Sequence, residues 1–122
     1  MTYVNAACYS NPRDEGSGMP HAKAHYSLKE VKALVRRGDW RVNQNALIGA
    51  RTSFGWGVDE IRSAILALHP CDFDISDWSR HKPGVMIDYY KARNLKGENV
   101  YTHFYIDHDE VIVVINSFKR IE

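Results

Sequence analysis

The sequence has no long hydrophobic run, little net charge and few cysteines. No apolar segment approaches the roughly 18–20 residues that span a bilayer, so we expect no membrane contact. The first residues lack the basic and apolar regions of a signal peptide, and we therefore expect a cytoplasmic protein. Lys and Arg number 16 and Asp and Glu 15, which leaves a formal net charge of +1. Strong nucleic-acid binders often carry a basic excess over the whole domain, so any such signal here must be local.

Sequence motifs for metals and cofactors are missing as well. The two cysteines, Cys8 and Cys71, form neither a CxxC pair nor another metal-binding spacing. There is no glycine-rich phosphate loop and no Ser-His-Asp order. We therefore expect no cofactor and no metal site.

A chain of 122 residues is the size of one domain with one core. Residues 1–24 contain breaker residues such as Pro12, Gly16 and Pro20 and show no apolar periodicity. The sequence therefore predicts a flexible N-terminal extension over residues 1–24 and a single domain over residues 25–122.

Three helices are predicted in the first half of this domain. Ser27 and Glu30 have the spacing of a capping box at the start of the first helix, and Gly38 is placed to end it. The second helix covers about residues 43–53, with Asn43 as a plausible N-cap. The third helix begins near residue 58 and ends before Pro70.

After residue 70 the apolar pattern changes to a period of two, which is typical of strands. Four strands are predicted, at residues 71–76, 85–90, 99–106 and 110–119, and residues 40–42 form a short extended piece. The last strand is apolar on both faces, so we expect it inside the sheet rather than at an edge. Helices followed by an antiparallel sheet of about four strands predict an α+β fold.

Basic residues concentrate in residues 79–97, where the sequence holds five Lys or Arg and one Asp. Such a cluster attracts phosphate groups and positions them without reading base sequence. The alternative is a pair of solvated loops. His81 of this segment is a candidate catalytic residue. The candidate RNA-binding residues of the segment are Arg80, Lys82, Lys91, Arg93 and Lys96.

The third predicted strand carries an unusual row of side chains on one face. Strand alternation places Tyr101, His103 and Tyr105 on that face. An exposed row of this kind stacks the bases of a single strand and supplies groups for proton transfer. The alternative is an aromatic face packed beneath the helices, with His103 half-buried.

From residue 25 to residue 119 the chain resembles the MqsR family of motility quorum-sensing regulators, which belong to the RelE-like bacterial toxins. The matching segments are "HYSLKEVKALVRRGDWRVNQNAL", "IRSAILALHPCDF", "DYY", "VYTHF" and "SFK". The resemblance implies a toxin of a type II toxin–antitoxin system that cleaves mRNA without a metal. It also implies a cognate antitoxin as partner, with DNA contacted only through that antitoxin.

The resemblance also implies a set of site residues. The strand tyrosine of the family falls on Tyr101, and its terminal lysine falls on Lys119. A lysine and a glutamine of the family pattern are replaced here by Ile75 and Ile87, which neither transfer protons nor bind phosphate. The hairpin is a few residues longer than usual, which predicts a longer turn or a bulge near residues 115–116.

We therefore assign His103 or His81 as general base or acid, and Tyr101 as proton donor or stacking group. The expected phosphate-stabilising residues are Lys119, Lys82 and Arg80. One alternative is a non-catalytic module on the same fold that binds RNA or an antitoxin-like protein. Another is an unrelated small enzyme or structural domain.

Overall fold

Within residues 23–122, one short strand lies between the first two of three helices and four strands follow the third, which confirms the predicted α+β class. The computed structural model describes residues 23–122, so the predicted extension lies outside this part except for its last two residues. The helices are α1 (Leu28–Arg37), α2 (Gln44–Phe54) and α3 (Val58–Leu66). The strands are β1 (Trp40–Val42), β2 (Phe73–Trp78), β3 (Met86–Leu95), β4 (Glu98–Asp107) and β5 (Ile112–Arg120). None of these helices has the length and apolar character needed to cross a membrane.

Helix α1 begins and ends where the sequence predicts. The Ser27 hydroxyl accepts a hydrogen bond from the backbone N–H of Glu30 at 3.3 Å, which satisfies one donor of the first turn. Gly38 ends the helix in the left-handed region with φ of 90°. Between them, Val31, Leu34 and Val35 are buried and attach the helix to the core.

The sheet order is β1-β5-β4-β3-β2, with β1 parallel to β5 and the other neighbours antiparallel. Strand β5 is paired on both sides, as its apolar sequence predicts. The short extended piece at residues 40–42 pairs with β5, so the expected four strands become five. Strand β2 starts two residues later than predicted because Pro70–Asp72 form a 3-10 turn, in which the Asp72 N–H bonds to the His69 carbonyl at 2.9 Å.

Helix α2 covers the edge of β5 beyond the end of β1. A Cβ added to Gly49 would lie 2.5 Å from the backbone oxygen of Phe118, so only glycine permits this approach. The backbone N–H of Arg120 donates to the Ser53 hydroxyl at 3.1 Å. The helix therefore protects a strand edge that would otherwise offer unpaired backbone groups.

Strand β5 carries the predicted bulge. His103 pairs with Ser117, whereas Phe104 pairs with Ile115, so Asn116 is the extra residue on β5. The Asn43 side chain was predicted to cap α2. It instead donates to the Asn116 side chain at 2.6 Å and makes no side-chain cap bond.

The bulge decides which way the end of β5 faces. In a regular strand, Lys119 would share a face with Ile115, which is fully buried in the core. The extra residue reverses the alternation, and Lys119 lies directly opposite Tyr101 on β4. The longer hairpin left open whether these two residues share a face, and the bulge places them on the same one.

A buried carboxylate joins the start of the domain to the sheet. Asp88 on β3 is fully buried and accepts hydrogen bonds from the backbone N–H groups of His25 at 3.0 Å and Tyr26 at 2.9 Å. The Ser76 hydroxyl on β2 also donates to this carboxylate. The Tyr26 hydroxyl donates to the Met86 carbonyl at 2.6 Å. The segment before α1 is therefore held against β2 and β3 by polar contacts.

Candidate active site

A groove of about 410 Å³ opens on the face of the sheet that points away from the buried Phe104 and Phe118. Strands β2 to β5 and the C-terminal residues all contribute to its walls. The titratable residues among its lining are Asp74, Asp77, Arg80, Tyr89, Lys91, Tyr101, Lys119, Arg120 and Glu122.

Tyr101 and His103 form a hydrogen-bonded pair beside this groove. The Tyr101 hydroxyl lies 3.0 Å from Nδ1 of His103, a distance that strand alternation allows because both residues occupy one face of β4. Tyr101 lines the groove, whereas His103 does not. A proton can therefore pass between the groove and His103 through the hydroxyl of Tyr101.

Tyr89 on β3 holds the His103 ring from the neighbouring strand. The two residues are paired in register, and their ring centroids lie 4.6 Å apart. Tyr89 also stacks on Tyr101 with centroids 6.3 Å apart and an interplanar angle of 17°. The sequence analysis missed this residue, because its only signal was the first tyrosine of "DYY" and its partner depended on the β3–β4 register.

Burial keeps both members of the pair uncharged near neutral pH. Burial, together with the positive charge of Lys119, lowers the pKa of His103 to about 4. Burial also raises the pKa of Tyr101, and nearby Tyr89 and Asp74 add to this effect. At pH 7 a neutral imidazole can therefore accept a proton, and the phenol retains its own.

Cationic side chains surround this pair. The Lys119 ammonium group lies 5.4 Å from the centre of the Tyr101 ring, and Lys91 stands opposite Tyr101 in register. Lys91 is 3.7 Å from the Asp74 carboxylate. Arg120 is paired with Glu98 at 3.2 Å, so it contributes mainly to structure. A phosphate in the groove would meet Lys119 and Lys91 next to a proton-accepting group.

A family model described as "Motility quorum-sensing regulator, toxin of MqsA" matches residues 23–120. The chain belongs to this MqsR family. It is 33% identical over 98 residues to the "mRNA interferase toxin MqsR" of Escherichia coli (strain K12). This match covers 79% of the chain and 93% of that relative. The predicted resemblance is confirmed over nearly all of the described residues.

The residues predicted from the basic segment and from the MqsR resemblance meet in the groove only in part. Arg80, Lys91, Tyr101 and Lys119 all line it. Ile75 lines the same groove and pairs with Tyr89, so a hydrophobic side chain stands at the position of the expected family lysine. Ile87, at the position of the glutamine, is buried with 6% of its surface exposed.

Other predicted residues lie away from the groove. His81 is exposed on the loop after β2 and is not part of the groove lining. Lys82 lines a different cavity at the far end of β4. Arg93 and Lys96 are exposed near the β3–β4 turn, where Lys96 itself has a positive φ of 52°. The basic segment therefore does not form one continuous patch.

The prediction of an exposed Tyr101–His103–Tyr105 row is wrong at its last member. Tyr105 is only 5% exposed and belongs to the hydrophobic core, so its ring is not open to base stacking. Its partner on β5 is Val114, which is also buried, and the sheet face is covered at this point.

Within residues 23–122 no cluster of three or more His, Cys, Asp or Glu side chains is arranged to hold a metal ion. In the groove, Tyr101 and His103 can exchange a proton, and Lys119, Lys91 and Arg80 can stabilise negative charge.

Proposed function

We propose that this protein is the toxin of a toxin–antitoxin pair and acts as a metal-independent endoribonuclease that cleaves mRNA. The observation that carries the proposal is the hydrogen-bonded Tyr101–His103 pair beside a groove whose mixed-charge lining places Lys119, Lys91 and Arg80 near Tyr101. The name of the E. coli relative, an mRNA interferase, supports mRNA as the substrate. The family description, toxin of MqsA, supports a cognate antitoxin protein as the partner. We expect the protein to act in the cytoplasm and to reach DNA only through the antitoxin.

Cleavage begins with the removal of a proton from a ribose 2′-hydroxyl. The Tyr101 oxygen takes this proton while its own proton passes to Nδ1 of His103, 3.0 Å away. The 2′-oxygen then attacks the adjacent phosphorus, and the bond from phosphorus to the 5′-oxygen breaks. The products are a 2′,3′-cyclic phosphate and a 5′-hydroxyl.

The leaving oxygen and the pentacoordinate phosphorus need positive groups. Lys119 is assigned as proton donor to the 5′-oxygen because its ammonium group is held over the Tyr101 ring. Lys91 and Arg80, from other walls of the groove, stabilise the charge on the phosphoryl oxygens. The Tyr101–His103 pair in this way supplies proton chemistry that Ile75 and Ile87 cannot.

The second candidate function is a non-catalytic module that binds RNA or an antitoxin-like protein. The replacement of two expected family residues by Ile75 and Ile87 favours this reading. The two functions differ in one property, which is whether the purified protein breaks RNA.

The purified protein is expected to cut a defined transcript in the presence of EDTA and to leave 5′-hydroxyl ends. Mapping these ends by primer extension tests the reaction, and treatment with a kinase identifies the 5′-hydroxyl.

Induction of the protein in cells is expected to arrest growth, and the product of a neighbouring reading frame is expected to rescue growth. A folded protein that leaves the transcript intact, with and without added divalent metal, would support the binding module instead.

The pH dependence of cleavage is expected to follow the protonation of the His103 imidazole. The imidazole must be unprotonated to accept a proton, so kcat/KM should hold steady as pH falls through about 6.5, the usual histidine value. Activity should then be lost as pH falls through about 4, the pKa of His103 in the fold. The measurement is kcat/KM between neutral pH and the onset of acid unfolding, with circular dichroism at each pH.

His81→Ala is the matched control for this profile, because His81 is exposed and lies outside the groove lining. The variant is expected to keep the wild-type profile. An acid limb centred near 6.5 that disappears in His81→Ala would move the general-base role from His103 to His81.

A further inference from the structure

A second cavity, of about 200 Å³, lies at the far end of β4 from Tyr101. We propose that it is a nucleotide-binding subsite, which takes the base and phosphate of an RNA nucleotide a few positions from the cleaved bond. This inference rests on the proposed ribonuclease function and adds to it a site that selects the substrate sequence.

Aromatic rings form one wall of this cavity. The centroids of Tyr26 and His108 lie 6.2 Å apart, and His25 packs edge-on against Tyr26 with centroids 4.6 Å apart. Tyr26 is held in place through its bonds to Met86 and Asp88. Tyr26 is itself only 6% exposed, so the surfaces on which a base can stack are the exposed rings of His25 and His108.

The cavity is lined by one cation, Lys82, and by two carboxylates, Asp107 and Asp109. Lys82 and Asp107 match the remaining parts of a nucleotide. Lys82 supplies a cation for a phosphate. Oδ1 of Asp107 accepts hydrogen bonds from the backbone N–H groups of Asp109 at 2.9 Å and Glu110 at 3.2 Å. These bonds lower the pKa of Asp107, so the group stays ionised and its Oδ2 remains an acceptor. Exocyclic amino groups of adenine, cytosine and guanine are the donors that such an oxygen selects.

The cavity and the groove share two structural elements. Tyr105 lines the cavity and lies on the same face of β4 as Tyr101, which lines the groove. On the loop after β2, Arg80 lines the groove and Lys82 lines the cavity. Four residues of strand separate Tyr101 from Tyr105 by about 13 Å. A stacked single strand covers this distance in about four nucleotides, and an extended strand in fewer.

The test uses His108→Ala and Lys82→Ala. Both positions are exposed, so these substitutions should leave the stability of the fold unchanged. The probes are short RNA oligonucleotides that differ by one base at each position around the mapped cut. His108→Ala is expected to raise KM by about 5- to 150-fold, the value of one stacked base. Lys82→Ala is also expected to raise KM, and kcat should change little in either variant. His108→Ala should also flatten the base preference at one fixed position near the cut. Lys29→Ala and His69→Ala, exposed elsewhere, are the matched controls and should keep wild-type KM.

Two further binding experiments distinguish an RNA subsite from a small-molecule site. A non-cleavable RNA with 2′-deoxyribose at the cut site measures affinity alone, so the subsite is tested even when no cleavage occurs. Free nucleoside monophosphates are titrated in parallel. Weaker binding of RNA by both variants supports the subsite. Binding of the free nucleotides alone would identify a small-molecule site and overturn the RNA assignment. Unchanged binding in both experiments would overturn the proposal.

Discussion

Tyr101→Phe is expected to lower kcat for RNA cleavage by about 10²- to 10⁴-fold, the contribution typical of a positioned proton-transfer group. The substitution removes only the hydroxyl that lies 3.0 Å from His103 Nδ1 and keeps the ring beneath the Lys119 ammonium group. Substrate affinity and stability should therefore change little. Single-turnover cleavage of a defined RNA measures the chemical step, and an anisotropy titration with non-cleavable RNA measures the affinity.

Tyr89→Phe is the matched control, since it also removes one phenolic hydroxyl from the same face of the sheet. The ring that packs 4.6 Å from His103 is retained, so the rate is expected to fall by less than about tenfold. Equal losses in the two variants would show that the hydroxyl of Tyr101 has no special role. A fully active Tyr101→Phe protein would remove Tyr101 from the mechanism.

Asp88→Ala is expected to lower the free energy of unfolding by about 3 kcal/mol or more. The substitution leaves the backbone N–H groups of His25 and Tyr26 without their acceptor, and the Ser76 hydroxyl loses the same partner. Unsatisfied buried donors each cost about 1–3 kcal/mol. Urea unfolding followed by circular dichroism measures the change.

The control for this loss is Asp77→Ala, an exposed aspartate on the adjacent strand β2. Its substitution is expected to change stability by no more than about 0.5 kcal/mol, as is usual for surface positions. If Asp88→Ala cost no more than Asp77→Ala, the buried carboxylate would not be what holds the segment before α1 to the sheet.

Much of the fold could be predicted because its signals are local. The start of α1 at Ser27 and its end at Gly38 depend on bonds within a few residues along the chain. Strand β2 was misplaced by two residues because Pro70–Asp72 form a 3-10 turn whose sequence also alternates. The strand at residues 40–42 was seen only as an extended piece, since its partner on β5 lies about 70 residues away in sequence.

The candidate site could be predicted only in its local part. Strand alternation alone places Tyr101 and His103 on one face, and family resemblance adds Lys119. Sequence reasoning joined Lys82 to the same site and left Tyr89 out of it. Both errors concern contacts between separate strands and loops, for which a single sequence carries no direct signal.

The sequence by itself determined the order of helices and strands, the net charge of +1 and the placement of Tyr101 and His103 on one face. Tertiary structure decided which groups join them. The bulge at Asn116 turns Lys119 towards Tyr101, and the register of β3 brings Tyr89 onto His103. Alternation is a property of one strand, whereas register and burial arise only when distant segments pack together and exclude water.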